Sequence, residues 1–343
     1  DVGAICKVFQ DSKFICSIVY GSMMNSGYDF WEDENCIQIP TDIHSSELYA
    51  QRFEEVAKNH SKDSPLFVFM SLQNVHTPLE VPEKYTNMYA NETSNTRQLY
   101  LGLVTNMDDI VKSMVTSLKT HGLYEDSIIV FTTDNGGALI DGADNKPLKG
   151  SKNTLYEGGT RGVGFVHSPL LRKTQYKSYK MIHAVDWLPT FVHLAGGSLD
   201  FPTDGVNQWK VLSEDGNQMR NSFLYNIDEK YPFRAAIRDG DWKLLWQYPG
   251  HPNISFPQGD DIYKEEAKEA LKMRKPNFLY NIRLDPNEDR NLHSYYPEIV
   301  RTLQQKIMDH LGEVFPAEDP PDSTTGAMWI KEHHYGPGWC EPT

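Results

Sequence analysis

Apolar positions along the first two thirds of the chain alternate between two spacings. "PLFVFMSLQNVH" at 65–76 is a near-continuous apolar run that ends in polar residues before Pro78, which predicts a buried strand feeding a loop. Residues 98–121 change rhythm. Leu103, Met107, Ile110, Val111, Met114 and Leu118 fall on one face of a helix, and Gly122 supplies a natural stop. "SIIVFTTD" (127–134) and "GVGFVHSP" (162–169) read as further buried strands. "AVDWLPTFVHLAGG" (184–197) reads as a helix with Asp186 as cap, Pro189 in the first turn and Gly196-Gly197 at the end. Strands alternating with helices predict an α/β domain, a mostly parallel sheet covered by helices on both faces.

After about residue 215 the pattern shifts. "FRAAIRDGDWKLLWQYPG" holds two strand-like runs about Asp239-Gly240, a hairpin signature. "NFLYNIRLDPNEDRNL" adds a strand and a tight turn, and "PEIVRTLQQKIMDHL" an amphipathic helix. The expected organisation is an α/β domain over 1–215 and an antiparallel sheet-and-helix subdomain with an irregular tail over 216–343.

Composition narrows the function classes. The 343 residues are 39% hydrophobic with 18 Tyr, 15 Phe and 7 Trp, which describes a folded chain. A net charge of −14 without a basic stripe argues against nucleic acid. No run approaches the ~20 apolar residues of a membrane span. The first residue is Asp1, which points to processing or to a piece of a longer chain. Sequons at Asn59, Asn91 and Asn253 suggest a secretory route, hence a secreted or lysosomal protein. Cys6, Cys16 and Cys36 cluster near the start and Cys340 near the end; in an oxidising compartment Cys340 could tie the tail to the front, with the connectivity open.

Candidate chemistry gathers at the ends of predicted strands, where open α/β sheets collect ligands. Asp134 and Asn135 precede Gly136-Gly137, so a carboxylate and an amide carbonyl stand together where the backbone can turn tightly. They are hard oxygen ligands suited to calcium or magnesium, or else the residues of a plain Asp-Asn-Gly-Gly turn. His76 ends the 65–76 run, and Lys152 lies between glycine-bearing segments where an ammonium could meet an anion or simply be solvated. Asp108-Asp109 reads as the solvated face of its helix.

The order of the motifs carries more than any one of them. "LQNVHTPLEVPEKY", "TDNGG", "PLKGSKNTLYEGGTRGVGF", "DWLPTFVHLAGG", "RDGDWKLL" and "LYNIRLDPNEDRNL" together resemble the sulfatase family, above all the animal arylsulfatase B group. The resemblance runs from about Phe14 to about residue 320. It implies an alkaline-phosphatase-like fold and hydrolysis of sulfate esters of a glycan or small aryl compound. By motif match, Asp134 and Asn135 would bind calcium while His76 and Lys152 contact the sulfate.

The family's formylglycine nucleophile, made from the Cys of a Cys-x-Pro-x-Arg motif, has no counterpart. Cys6, Cys16, Cys36 and Cys340 are followed by Lys-Val-Phe-Gln, Ser-Ile-Val-Tyr, Ile-Gln-Ile-Pro and Glu-Pro-Thr. The paired acids that complete the family's calcium shell are missing too. The implied fold is therefore N-terminally truncated, and this chain alone is expected to be inactive. Its expected partner is an N-terminal sulfatase fragment or another chain that completes the sheet. The alternative is a catalytically inactive secreted binding or structural protein. The joint survival of His76, Asp134, Asn135 and Lys152 favours the enzyme.

Overall fold

The computed structural model describes residues 4–9, 13–20, 23–27, 31–32, 35–36, 43–229, 233–247, 249–250 and 277–315, the strands before residue 43 as backbone only. Strands β1 (Ala4–Phe9), β2 (Lys13–Tyr20) and β3 (Met23–Gly27) form an antiparallel meander in which Cys6 and Cys16 are cross-strand partners. Strands β4 (Trp31–Glu32) and β5 (Asn35–Cys36) pair as a small hairpin.

Helix α1 (Ser45–Asn59) starts where the His44 ring accepts from the Ser46 N–H. It buries Ala50, Phe53 and Ala57, spaced three and four apart and therefore on one face. A short helix α2 (Glu83–Thr86) leads to α3 (Asn95–Thr120), against which both α1 and α2 pack. Ser94 caps α3 by accepting from the Arg97 N–H at 3.3 Å, and Gly122, at φ 66°, ends it as the spacing predicts. Leu103 and Ile110 are buried, while Met107, Val111, Met114 and Leu118 are only half-buried. Asp108 and Asp109 face solvent.

The stretch 65–76 departs from expectation. It joins no ladder among the described residues, and Phe67 and Phe69 are 69% and 81% exposed. An apolar run is buried only where a second layer covers it, and here α3 meets the run at Asn74 and α5 (Trp187–Leu194) at Phe67. Phe67 meets Phe191 edge-on at 5.6 Å between ring centres. The other two expected strands form, as β6 (Ile129–Thr132) and β7 (Gly164–His167), but pair antiparallel with each other from Ile129↔His167 to Thr132↔Gly164. A single helical turn, α4 (Glu157–Thr160), lies between them. Asp186 stands at the start of α5, yet its carboxylate does not cap that helix. It accepts instead from the His183, Val206 and Gln208 N–H groups and from the Arg220 guanidinium. Burial alone would raise this carboxyl, but those donors, Arg220 first, hold it below its ordinary range.

Beyond α6 (Trp209–Glu214), strands β8 (Ser222–Asp228), β9 (Arg234–Asp239), β10 (Trp242–Gln247) and β11 (Phe278–Asn281) form an antiparallel sheet in the order β11-β10-β9-β8. The expected hairpin turns at Gly240, φ 56°. Period-2 alternation gives this sheet two buried faces. Ala235, Ile237, Leu244 and Leu279 pack under α7 (Pro297–Leu311) through Val300, Leu303 and Ile307. Ala236, Leu245 and Tyr280 pack on the opposite face against Tyr156. Each such aliphatic side chain contributes about 1.5–3 kcal/mol by leaving water.

On that second face lies a buried ionic cluster. Lys243, with no exposed surface, donates to Glu157 Oε1 at 2.8 Å and sits 3.0 Å from Glu288 Oε1. Glu288 Oε2 accepts from the Glu157 backbone N–H at 2.6 Å, and the Tyr225 hydroxyl donates to Glu157 at 3.2 Å. Burial alone would depress the Lys243 ammonium; attraction to its anionic neighbours outweighs that and raises it. Lys243 is not shared equally. Burial works to raise both carboxyls, but Lys243 holds Glu157 below its ordinary value while Glu288 stays raised.

Candidate active site

The Asp134–Gly137 turn begins where β6 ends. Thr133 N–H donates to Val163 O at 3.0 Å and Thr133 Oγ1 accepts from Val163 N–H at 2.9 Å, fastening the turn to the start of β7. Asp134 Oδ1 accepts from the Asn135 N–H at 2.8 Å. Asn135 Nδ2 donates to Gly136 O at 2.8 Å, so its carbonyl Oδ1 is left with no protein donor among the described residues. Gly136 N–H donates to Gly159 O at 2.9 Å, and a Cβ on Gly136 would stand 1.8 Å from Gly158 O. Only glycine permits that approach. The "DNGG" and "EGG" motifs are therefore two halves of one backbone junction.

That junction extends to Lys152. Gly137 O accepts from Lys152 N–H at 3.2 Å, Ser151 Oγ at 3.2 Å and Asn145 Nδ2 at 2.8 Å, while Asn145 Oδ1 accepts from Gly137 N–H at 2.9 Å. Asn145 and Ser151 thus staple the metal-candidate turn to the loop of Lys152. Neither stands out in the sequence, because their role is to satisfy backbone groups across a fold-dependent gap.

His76 reaches the same place from the opposite side. The loop before it is pinned by Asn74, whose Nδ2 donates to Leu103 O at 3.1 Å and Asn106 Oδ1 at 2.9 Å, and whose Oδ1 accepts from Ser46 Oγ. His76 Nδ1 lies 2.7 Å from Thr77 O, and a carbonyl can only accept, so Nδ1 carries the proton. Nε2 then accepts from the Lys152 ammonium at 2.9 Å. Two residues 76 positions apart meet in a direct contact, and Lys152 keeps two N–H donors for an anion.

His76, Lys152, Asp134 and Asn135 line one cleft of about 3760 Å³. That is several times the roughly 300–1,000 Å³ of an ordinary small-molecule site. Phe67, Met107, Val111, Met114 and Leu118 also line the cleft. Among the described residues no cluster of three or more His, Cys, Asp or Glu is arranged to hold a metal. Asp134 and Asn135 offer hard oxygens suited to calcium, with Asn135 Oδ1 unused, but as two ligands of the roughly six to eight that ion takes. Of the sequons, Asn59 and Asn91 are exposed and Asn253 lies outside the described residues, as does Cys340. No helix among the described residues is long and apolar enough to cross a membrane.

Comparison with known proteins places the chain in a class. The sulfatase profile matches residues 11–198, and a profile for the C-terminal region of aryl-sulfatase matches 218–341; the chain belongs to the sulfatase family. It is 33% identical over 340 residues to Arylsulfatase J of Mus musculus, an alignment covering 92% of this chain and 57% of that protein. It is 25% identical over 260 residues to Arylsulfatase A of Homo sapiens, covering 73% of this chain and 49% of the relative. The chain thus spans about half the length of these relatives. Among solved structures, Ps i-CgsB in complex with k-i-k-neocarrahexaose superposes with a TM-score of 0.70 at 24% identity, over 87% of this chain and 62% of that one. The phosphonate monoester hydrolase of Agrobacterium radiobacter superposes at 0.54 with 17% identity, over 79% and 61%. These likenesses identify the alkaline-phosphatase-like α/β fold with a C-terminal antiparallel sheet and helix.

Proposed function

We propose that this chain supplies the sulfate-binding wall, and part of the cation site, of an enzyme that hydrolyses sulfate esters of a glycan or small aryl compound. The observation that carries the reading is the 2.9 Å contact between Lys152 Nζ and His76 Nε2, in the cleft that Asp134 and Asn135 also line. A sulfate ester is a tetrahedral anion whose bridging oxygen gains charge as the S–O bond breaks. Lys152 provides fixed positive charge and two donors for the equatorial oxygens. His76, with its Nδ1 proton held by Thr77 O, accepts from Lys152 through Nε2 and so fixes where the ammonium stands. Asp134 and Asn135 would hold calcium, which supplies Lewis-acid charge to the sulfate when bound.

The nucleophile is not among these residues, since no cysteine here is followed by x-Pro-x-Arg. In this reading it comes from a sulfatase segment outside this chain, seated on the apolar wall of Phe67, Met107 and Met114. The sequons at Asn59, Asn91 and Asn253 support a secretory route for the protein, as a secreted or lysosomal sulfatase. The rival is a non-catalytic secreted protein on a sulfatase frame, which the missing nucleophile motif would equally permit.

A chromogenic aryl sulfate separates them. The chain alone is expected to give no turnover, and native material that co-purifies with a formylglycine-bearing segment, read by intact mass, is expected to turn over. Turnover by the chain alone would contradict the nucleophile assignment, and native material without such a segment or activity would favour the binding protein.

A further inference from the structure

Asp141 ends a 3₁₀ turn, Leu139–Asp141, between the Asn135 turn and the loop of Lys152. The turn is held from several directions. Asp141 N–H donates to Ala138 O at 3.1 Å, Gly142 N–H to Leu139 O at 3.2 Å, and Ala143 N–H to Ala138 O at 3.2 Å. Leu139 N–H donates to Ser151 Oγ at 3.2 Å, tying the turn to the residue before Lys152, and Arg97 Nη1 donates to Gly142 O. Gly142 sits at φ 88°, where a side chain would be strained, so the turn has one shape.

The Asp141 carboxylate is half-buried and lines the same cleft as His76 and Lys152, on a turn tied to the residue before Lys152. It forms no hydrogen bond or ion pair among the described residues. An unpaired acid beside an anion site opposes sulfate binding, and a rigid turn holds it there. A cation carried by the ligand would offset that opposition.

We infer that Asp141 is a specificity-determining residue, selecting sulfate esters that carry an ammonium group beside the sulfate, as an amino-sugar sulfate does, over neutral or doubly anionic ones. The inference rests on the reading of His76 and Lys152 as the sulfate site. Asp134, the other cleft acid near the pair, is bonded to the Asn135 N–H, and Asp144 accepts from the Lys146 N–H at 3.1 Å. Asp141 alone of the three is without such a partner.

The test titrates the full chain, by calorimetry or NMR, with inorganic sulfate, glucosamine 3-sulfate and glucose 3-sulfate. The wild type is expected to favour the amino sugar by about two- to fivefold, the range of a partly exposed charge pair. Asp141→Asn is expected to abolish that preference and to bind inorganic sulfate more tightly; Asp141→Glu is expected to restore part of it. Sulfate binding with an unchanged amino-sugar preference in Asp141→Asn would overturn the role of Asp141 and leave the site standing. Failure of sulfate to bind the wild type, or binding that survives Lys152→Ala, would overturn the site and this inference with it.

Discussion

The sheet β8–β11 under α7 and the wall formed by 65–76, α3 and β6–β7 are built from comparably apolar sequence and reach opposite ends. In the first, Leu244, Leu245 and Leu279 lose all contact with water and even a lysine is fully enclosed. In the second, Phe67, Phe69, Val163 and Phe165 face outward. The difference lies in what covers each surface. The C-terminal sheet carries its own lid, α7, and a second cover in the 149–160 loop. The wall keeps Phe67, Phe69, Val163 and Phe165 exposed beside α3 and α5. Apolar spacing states that a segment can be buried, and a partner layer decides whether it is.

Variants on the two sides should break differently, and the largest effect is expected at Lys243. Lys243→Met leaves the buried Glu157 and Glu288 without their shared ammonium, at a cost of about 3–5 kcal/mol in urea denaturation. A loss below about 1 kcal/mol would mean that the cluster is not closed. Leu244→Ala is expected to cost about 2–5 kcal/mol. Phe69→Ala, on the open wall, should stay within about 0.5 kcal/mol and reduce self-association measured by light scattering. Similar losses for Leu244→Ala and Phe69→Ala would erase the contrast.

The two glutamates sharpen it further. Glu157 is held below its ordinary value, so its ionised form stabilises the fold. That contribution is present above the unfolded carboxyl pKa of about 4.3 and lost as pH falls through the lower folded value. Glu288 is raised, so its ionised form opposes folding at neutral pH. Glu157→Gln should therefore destabilise at pH 7 and lose part of the acid-side fall, whereas Glu288→Gln should be neutral or stabilising at pH 7. Denaturation midpoints across pH check this, and equal penalties would contradict the assignment. The smallest effect on stability is expected for Lys152→Ala, within about 0.5 kcal/mol, because among the described residues its ammonium bonds only to His76.

Legibility in the sequence followed the same divide. Helix α3 with its Gly122 stop, the Gly240 hairpin and α7 could be read from spacing and turn residues, because local periodicity fixes them. The run at 65–76 reads as a buried strand because its composition asks for cover, and composition cannot show whether cover is present. His76, Asp134, Asn135 and Lys152 stood out through motif order, and the structure brings His76 to Lys152 and all four to one cleft. Asn145, Ser151 and Asp141 did not stand out, since each matters through a loop brought close by the fold. Lys243 left a faint signal, a lysine inside the apolar run "DWKLLW", which a buried ion pair would explain.

The central claim is that His76 and Lys152 form one anion-binding pair. It is tested most directly by following the His76 ring nitrogens by NMR while the full chain is titrated with inorganic sulfate. The account predicts a saturable shift at Nε2, with Nδ1 still protonated toward Thr77 O, and loss of that shift in Lys152→Ala. A His76 ring indifferent to sulfate, or one that responds equally without Lys152, would contradict it.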